Sequence, residues 1–247
     1  MDTKFIVFTT NRSGSTWLMS TLNSLPNVIA QGELFLARKR SSERRWDSDF
    51  ACERYIEAKP GGLPFRPFSV FSYLDWLYCT PGTVGFKLMY QQLGHFPEIL
   101  LYLKRHRIRV IHLIRQNQLD VLVSGVIKAS IGRAHILAGQ SAPDHLKVAL
   151  RTENLVQQLE QLRRRQNMAT KLLRWCNLPY IEVVYENLVR DKNHFRSIWN
   201  FLSIDPGHNS VEANTVKTRR GGHRDVIVNY DEVKEALANT RFAALLD

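Results

Sequence analysis

Cysteine is scarce in this sequence, with only three in 247 residues, at Cys52, Cys79 and Cys176. An odd number of widely spaced cysteines, without a Cys-x-x-Cys pair, argues against a disulfide framework and against a cysteine zinc site. The eight histidines also lack the short repeats typical of metal-binding motifs. We therefore expect reduced, structural cysteines and no bound metal.

Long apolar runs are also absent. The run Phe5 to Phe8 is among the longest, far below the ~20 residues that cross a bilayer. Asp2 stands where a signal peptide carries positive charge, and polar residues 9–12 end the apolar run, so we expect a cytoplasmic protein. With 44% hydrophobic residues, 13 Gly and 9 Pro, the composition indicates a globular protein with a substantial core.

Acidic residues are outnumbered by basic ones, 23 Asp+Glu against 34 Lys+Arg, which gives a net charge of +11. Such a charge attracts polyanions, including nucleic acid, an anionic membrane or a small ligand with several phosphates. A nucleic-acid binder is disfavoured because the sequence lacks a helix-turn-helix, zinc-finger or aromatic RNA-binding motif. The basic residues cluster within 38–45, 104–109, 163–165 and 219–224.

Strands alternate with helices along the chain, which predicts an α/β fold with a central parallel sheet. We place one domain over residues 1–247, because no linker or internal repeat interrupts it. Irregular chain is expected at about 26–45, 132–145 and 203–229, as candidate binding loops. The predicted strands cover 4–8, 83–89, 109–114 and 180–185, and the predicted helices cover 15–25, 96–106, a segment ending at 127, 146–175, 195–202 and 230–246.

The segment 10–16, Thr-Asn-Arg-Ser-Gly-Ser-Thr, follows the first predicted strand and opens a helix. An anion binds well at such a place, because the helix start offers free N–H groups and a positive dipole. Compared with the nucleotide-binding pattern GxxxxGK[ST], Gly14 and Thr16 match, but Ser15 replaces the lysine. This difference disfavours a kinase that uses ATP and magnesium. A helix cap without a ligand is the alternative at this point.

Residues 12–18, Arg-Ser-Gly-Ser-Thr-Trp-Leu, resemble the 5′-phosphosulfate loop of sulfotransferases that use 3′-phosphoadenosine 5′-phosphosulfate (PAPS). Segments 31–34, 85–89, 114–124 and 185–188 agree with this family in order and rough spacing. The pattern is nearest to bacterial carbohydrate and glycolipid sulfotransferases of the trehalose and Nod-factor type. The resemblance implies a P-loop-like three-layer sandwich, with PAPS as co-substrate and no metal.

The resemblance also assigns roles around the 5′ end of PAPS. It implies that Arg12 neutralises charge on the bridging oxygen, that Glu33 is the general base and that Lys87 stabilises the transferring group. The alternatives are a surface Glu33 paired with nearby cations and a solvated Lys87. The residues implied in holding the phosphosulfate are Arg12, Ser13, Gly14, Ser15, Thr16 and Trp17, although Trp17 fits the core better than a ligand contact.

At the 3′-phosphate the resemblance implies Arg115 and Ser124. Ser124 follows Arg115 by nine positions, whereas many members of the family have an offset of eight. Either the loop carries one extra residue, or Gln116, eight positions before Ser124, replaces the charged contact. Arg219 and Arg220 match loosely a loop that the family closes over this phosphate. Tyr185 is implied to stack on adenine, with structural packing as an equal alternative.

The expected function is therefore transfer of a sulfuryl group from PAPS to a hydroxyl, with carbohydrate or glycolipid acceptors favoured. A small-molecule or nucleoside kinase of related fold is the alternative. His112 and His135 are the reserve candidates for the base. Residues 34–82 and 132–145 are expected to build the acceptor pocket, where Phe35, Trp46, Phe65, Phe68 and Trp76 could stack on sugars or pack in the core. We expect no nucleic-acid partner, and peripheral contact with an anionic membrane is one use of the remaining cations. The sequence leaves the oligomeric state open, a homodimer included.

Overall fold

The structure is a computed structural model that describes residues 2–36, 52–58, 66–131, 136–137, 147–206, 215–216 and 221–246. The strands are β1 (Lys4–Thr9), β2 (Val28–Glu33), β3 (Thr83–Met89), β4 (Arg109–Ile114), β5 (Ile136–Leu137), β6 (Tyr180–Val184) and β7 (Thr215–Val216). The helices are α1 (Ser15–Asn23), α2 (Tyr55–Ala58), α3 (Arg66–Tyr78), α4 (Tyr90–His95), α5 (Glu98–Arg105), α6 (Gln118–Ile131), α7 (Leu155–Trp175), α8 (Tyr185–Arg190), α9 (Phe195–Leu202), α10 (His223–Val226) and α11 (Tyr230–Leu237).

Five strands form one sheet in the order β2-β3-β1-β4-β6, and every neighbouring pair is parallel. The predicted α/β class with a central parallel sheet is thereby confirmed. From β1 the chain runs to β2 and β3 on one side, and from β4 it continues to β6 on the other. The connections thus diverge between β1 and β4, and in such sheets ligands bind at the carboxyl ends of the strands at this point.

Helices cover both faces of the sheet. Side chains alternate along a strand, so Ile6 and Phe8 face one side while Phe5 and Val7 face the other. The first pair belongs to a buried cluster with α3, α5 and the last turns of α7. The second pair belongs to a cluster with α1 and α9. Apolar side chains on both faces explain why the strands read as continuous apolar runs.

The chain divides into two compact units, residues 1–114 with 169–213 and residues 115–168 with 214–247. The first contains the five-stranded sheet. The second has its own buried cluster, which includes Leu119 of α6, Leu159 of α7 and Val233 of α11. It also contains the antiparallel pair of β5 and β7. The division at 168 falls inside α7, which is one continuous helix.

Three predicted elements differ from the observed ones. Irregular chain was expected from residue 26, but Val28–Glu33 forms β2. This strand is short and contains Gly32, so it lacks a clear apolar pattern. The helix expected over 230–246 ends at Leu237, whereas the helix expected over 96–106 is observed as α5. The long helix starts at Leu155 rather than near 146, since Val148 pairs with Ile227 as an isolated bridge. In the described ranges, no helix is long and apolar enough to span a membrane.

Candidate active site

The loop between β1 and α1 lies at the carboxyl end of the central strand. Arg12 and Gly14 both adopt left-handed backbone conformations, with φ of 63° and 83°. Gly14 is the N-cap of α1, and the first turn of that helix contains no acidic residue. Because the first N–H groups of a helix lack intrahelical acceptors and lie at the positive end of its dipole, this end of α1 favours an anion.

Ser13 is fully buried beneath the loop. Thr9 Oγ1 lies 2.7 Å from Ser13 Oγ and 2.7 Å from the carbonyl oxygen of Leu113. A carbonyl only accepts and a hydroxyl has one proton, so Thr9 donates to Leu113 and accepts from Ser13. The Ser13 hydroxyl therefore ties the loop to β1 and β4. Its predicted contact with a bound anion would then come from the backbone rather than from this hydroxyl.

Glycine is required at position 14 for two reasons, the left-handed backbone conformation there and the close approach of the Tyr185 ring. A β-carbon on Gly14 would lie 2.1 Å from Tyr185 Cε2, so only glycine lets this ring lie against the loop. Tyr185 is buried at the start of α8, and its ring centroid lies 5.8 Å from that of Trp17 in an edge-on contact. Trp17 also contacts Phe195. These contacts favour packing for both aromatic residues, and adenine stacking by Tyr185 stays a prediction.

Three predicted site residues come together beside the start of α1. Lys87 Nζ lies 3.3 Å from Glu33 Oε1 and 3.5 Å from Thr16 Oγ1. Lys87 is 8% exposed, so its charge is held close to these two groups. Gln92 Nε2 donates to Glu33 Oε2 at 3.0 Å, and Gln92 Oε1 accepts from the backbone N–H of Met89 at 2.9 Å. The result is a chain of contacts from Gln92 of α4 through Glu33 and Lys87 to Thr16 in the first turn of α1.

A bulge in β2 brings Glu33 to this position. Gln31 is paired with Phe86 and Glu33 with Lys87, so Gly32 is an extra residue in the ladder. In a regular strand, successive side chains point to opposite faces, and Glu33 and Ala30 would then lie on different faces. The extra residue reverses this alternation and places Glu33 on the same face as Lys87 and α1. Glycine suits such a position because it tolerates irregular backbone.

His112 lies on the other face of the sheet and is not exposed at all. Its Nε2 is 2.7 Å from the Tyr90 hydroxyl, and its Nδ1 is 3.5 Å from Thr170 Oγ1 and 3.7 Å from Glu182 Oε1. Burial lowers the pKa of His112 to about 4, although Glu182 acts in the opposite direction. Burial also raises the pKa of Tyr90 well above its ordinary value. A neutral, inaccessible imidazole is a poor candidate for the base, so the structure argues against this reserve role.

We expect His112 to make stability depend on pH. Its folded pKa of about 4 lies below the unfolded value of about 6.5, so its contribution is fully present above pH ~6.5 and is lost as the pH falls towards ~4. Between about pH 7.5 and pH 5, the wild type should lose about 2 kcal/mol more unfolding free energy than His112→Gln. Urea unfolding of both proteins at the two pH values measures this difference, and equal losses would contradict it.

In the second unit, Arg115 is part of a partly buried polar group with Asp120 and the buried His223. Arg115 Nη2 donates to Asp120 Oδ2 at 2.7 Å, and His223 Nε2 lies 3.1 Å from Asp120 Oδ1. Asp120 and Ser124 are four residues apart on α6, which places them on the same helix face. Asp120 therefore holds the Arg115 guanidinium at the face of α6 that also bears Ser124.

Several predicted residues cannot be placed. Arg219, Arg220 and His135 lie outside the described residues, as do the basic cluster at 38–45 and the aromatic residues Trp46 and Phe65. Of the remaining aromatic candidates for the acceptor pocket, Phe35 is buried in the core, whereas Phe68 and Trp76 are exposed. The prediction of core packing is therefore confirmed for Phe35 and wrong for Trp76. Among the described residues, no three His, Cys, Asp or Glu side chains form a group suited to a metal ion.

The sequence analysis missed the residues that support the predicted ones. Gln92 lies three positions after the end of β3, where a polar side chain commonly caps a helix start, and this spacing was a usable signal. Asp120 follows Arg115 closely, but 103 positions separate it from His223, so nothing local connects that pair. The contact between Tyr90 and His112 likewise depends on the order of the strands.

Comparison with known proteins gives little beyond this geometry. No protein-family model and no curated protein sequence matches the chain. Among solved structures, a crystal structure of mouse sulfotransferase SULT7A1 complexed with PAP is similar, with a TM-score of 0.41 and 12% identity. The match covers 98% of this chain and 74% of that chain. A likeness at this level assigns neither a family nor an activity.

Proposed function

We propose that the chain is a PAPS-dependent sulfotransferase that transfers a sulfuryl group to a hydroxyl of a carbohydrate or glycolipid. The observation that carries the proposal is the contact of Lys87 with both Glu33 and Thr16 beside the first turn of α1. A base and a cation thus lie next to a helix start that favours an anion. The motif resemblance of residues 12–18 adds the identity of the donor.

The residues of the loop fit a phosphosulfate better than a triphosphate. Ser15 takes the place of the lysine that contacts the β- and γ-phosphates in nucleotide-binding loops, and it is buried. The terminal sulfuryl group carries less negative charge than a phosphoryl group, so it needs fewer cations in the loop itself. Lys87 reaches the same place from β3, and Arg12 lies half-buried in the loop. These two cations supply the charge that the loop lysine would otherwise provide.

In the proposed reaction, Glu33 accepts the proton of the acceptor hydroxyl while the hydroxyl oxygen attacks sulfur in line. The bond from sulfur to the bridging oxygen breaks, and adenosine 3′,5′-bisphosphate is released. Lys87 starts paired with Glu33, and it shifts towards the bridging oxygen as negative charge develops there and as Glu33 becomes neutral. Arg12 stabilises the same oxygen. Gln92 holds Glu33 in place through the second carboxylate oxygen.

At the other end of the donor, we propose that Arg115 and Ser124 bind the 3′-phosphate. A guanidinium presents five N–H donors in a fixed fork, and the bond to Asp120 sets the direction of that fork. His223 in turn holds Asp120. Ser124, on the same face of α6 as Asp120, supplies a hydroxyl donor of the kind that commonly binds phosphate.

Replacing Arg115 by Ala should weaken the binding of adenosine 3′,5′-bisphosphate by ~1.5 to 3 kcal/mol, the range for a hydrogen bond to a charged group. The affinity for adenosine 5′-phosphate should change little, because that ligand lacks the 3′-phosphate. Isothermal titration of both ligands measures the difference. Gln116→Ala is the matched control. A larger loss of affinity in that variant would mean that Gln116, rather than Arg115, contacts the 3′-phosphate.

The competing kinase function is tested by ligand preference. Calorimetric titration with adenosine 3′,5′-bisphosphate should give tighter binding than titration with ADP and magnesium. The reverse preference would favour a kinase. Binding of DNA with a steep salt dependence, together with no binding of the bisphosphate, would instead favour a nucleic-acid protein.

A further inference from the structure

The outer side of α7 carries a stripe of exposed residues that the proposed reaction does not use. Arg164, Met168, Lys171 and Trp175 follow one another at intervals of four, three and four residues, so they lie along one line of the helix. Met168 is 68% exposed and Trp175 is 83% exposed. Cations and large apolar side chains therefore alternate on one solvent-facing surface, which we call the α7 stripe.

The charge around the α7 stripe has one sign. Between residues 161 and 175 the helix contains five cations and no Asp or Glu, and the cations beside the stripe are Arg163, Arg165 and Arg174. Glu160, one turn before Arg164, is paired with Arg241. Glu182 accepts a hydrogen bond from Thr170 at 2.8 Å. Glu160 also attracts Arg163 and Arg164, and Glu182 attracts Arg174. Five cations against these two carboxylates still leave the α7 stripe with a net positive charge.

We infer that the α7 stripe binds the surface of an anionic phospholipid bilayer. A tryptophan places its ring at the boundary between headgroups and acyl chains, and arginine and lysine reach the lipid phosphates from the same depth. A helix that lies flat on the bilayer inserts its apolar side chains while its cations stay at the headgroups. Met168, which lies between Arg164 and Lys171, gains an apolar environment from the acyl chains when the helix lies on the bilayer.

Other occupants fit the surface less well. A second copy of the chain would set its own five cations against these five if the stripes met in a symmetric dimer. Nucleic acid would satisfy the cations and could stack on Trp175, but its backbone offers no apolar contact for Met168. Of these three partners, the bilayer is the one that satisfies both kinds of side chain. The inference concerns a surface on α7 alone, so it does not depend on the proposed reaction.

Sedimentation with vesicles tests this surface in the whole 247-residue chain. Vesicles of phosphatidylcholine with about a third phosphatidylglycerol should bind the wild type at least about tenfold better than phosphatidylcholine alone, and high salt should weaken binding. The double variant Arg164→Gln with Lys171→Gln should lower the partition coefficient about thirtyfold, because each cation near an anionic bilayer contributes about fivefold. Trp175→Ala should lower it severalfold with no change in charge.

A matched control removes the same charge elsewhere. Lys104→Gln with Arg105→Gln removes two exposed cations from α5 and should leave most of the binding intact. An equal loss in this control would overturn the inference, because net charge alone would then explain binding. So would unchanged binding of Trp175→Ala. Stripe-dependent binding of a DNA oligonucleotide without vesicle binding, or stripe-dependent dimerisation in sedimentation equilibrium, would assign the surface to the other occupants.

Discussion

Replacing Glu33 by Gln is expected to reduce kcat for sulfuryl transfer by about 10²- to 10⁴-fold, the usual contribution of a general base. Gln has nearly the same shape as Glu and can still accept the bond from Gln92, although its NH2 group then replaces the oxygen that faces Lys87. An amide cannot take up the acceptor proton at neutral pH. The loss should therefore appear in kcat, while the affinity for adenosine 3′,5′-bisphosphate stays nearly unchanged.

The control for this prediction is Glu53→Gln, which makes the same chemical change at an exposed position. Its kinetics should match the wild type. Steady-state rates at saturating donor, with calorimetric affinities for both variants, separate chemistry from binding. Normal turnover by Glu33→Gln would mean that another group is the base. His112 is disfavoured by its burial, so His135 would then be the next residue to test.

Replacing Lys87 by Met is expected to reduce kcat by about 10²- to 10³-fold, similar to the loss of one donor that stabilises a developing oxyanion. Methionine nearly preserves the length of the side chain and removes the cation, so Glu33 and Thr16 both lose their contact with Nζ. Lys87→Arg should recover part of the rate, because it restores the charge with a different geometry.

Lys104→Met on α5 removes an exposed cation and is the control for general charge loss. Because Glu33 and Lys87 act in one network, the double variant should be less impaired than the product of the two single losses. Urea unfolding of each variant shows whether a fall in rate reflects lost structure. Full additivity in properly folded proteins would indicate that the two residues act independently.

The sequence predicted the parts of the site that depend on local pattern. The apolar run at the first strand and the small residues after it indicate a strand, a tight loop and a helix, and the structure has all three. The positive φ of Gly14 agrees with this interpretation. The contact of Gly14 with Tyr185 could not be predicted, because the two residues are far apart in the chain and meet only when β1 and β6 share a sheet.

Other parts depend on non-local geometry. The position of Glu33 depends on the bulge at Gly32, and a strand register with an extra residue cannot be recognised from the alternation of side chains. The pairing of Glu33 with Lys87 follows from that register. Similarly, Trp76 has helical spacing typical of a core residue but lies on the exposed side of α3, since periodicity gives a face and not its surroundings.

The most direct test of the central claim is a transfer assay with labelled PAPS and a panel of carbohydrate and glycolipid acceptors, run beside labelled ATP with magnesium. The account predicts label transfer from PAPS to at least one acceptor, without added metal, and a loss of that transfer in Glu33→Gln and Lys87→Met. Transfer from ATP with magnesium, together with none from PAPS, would contradict it.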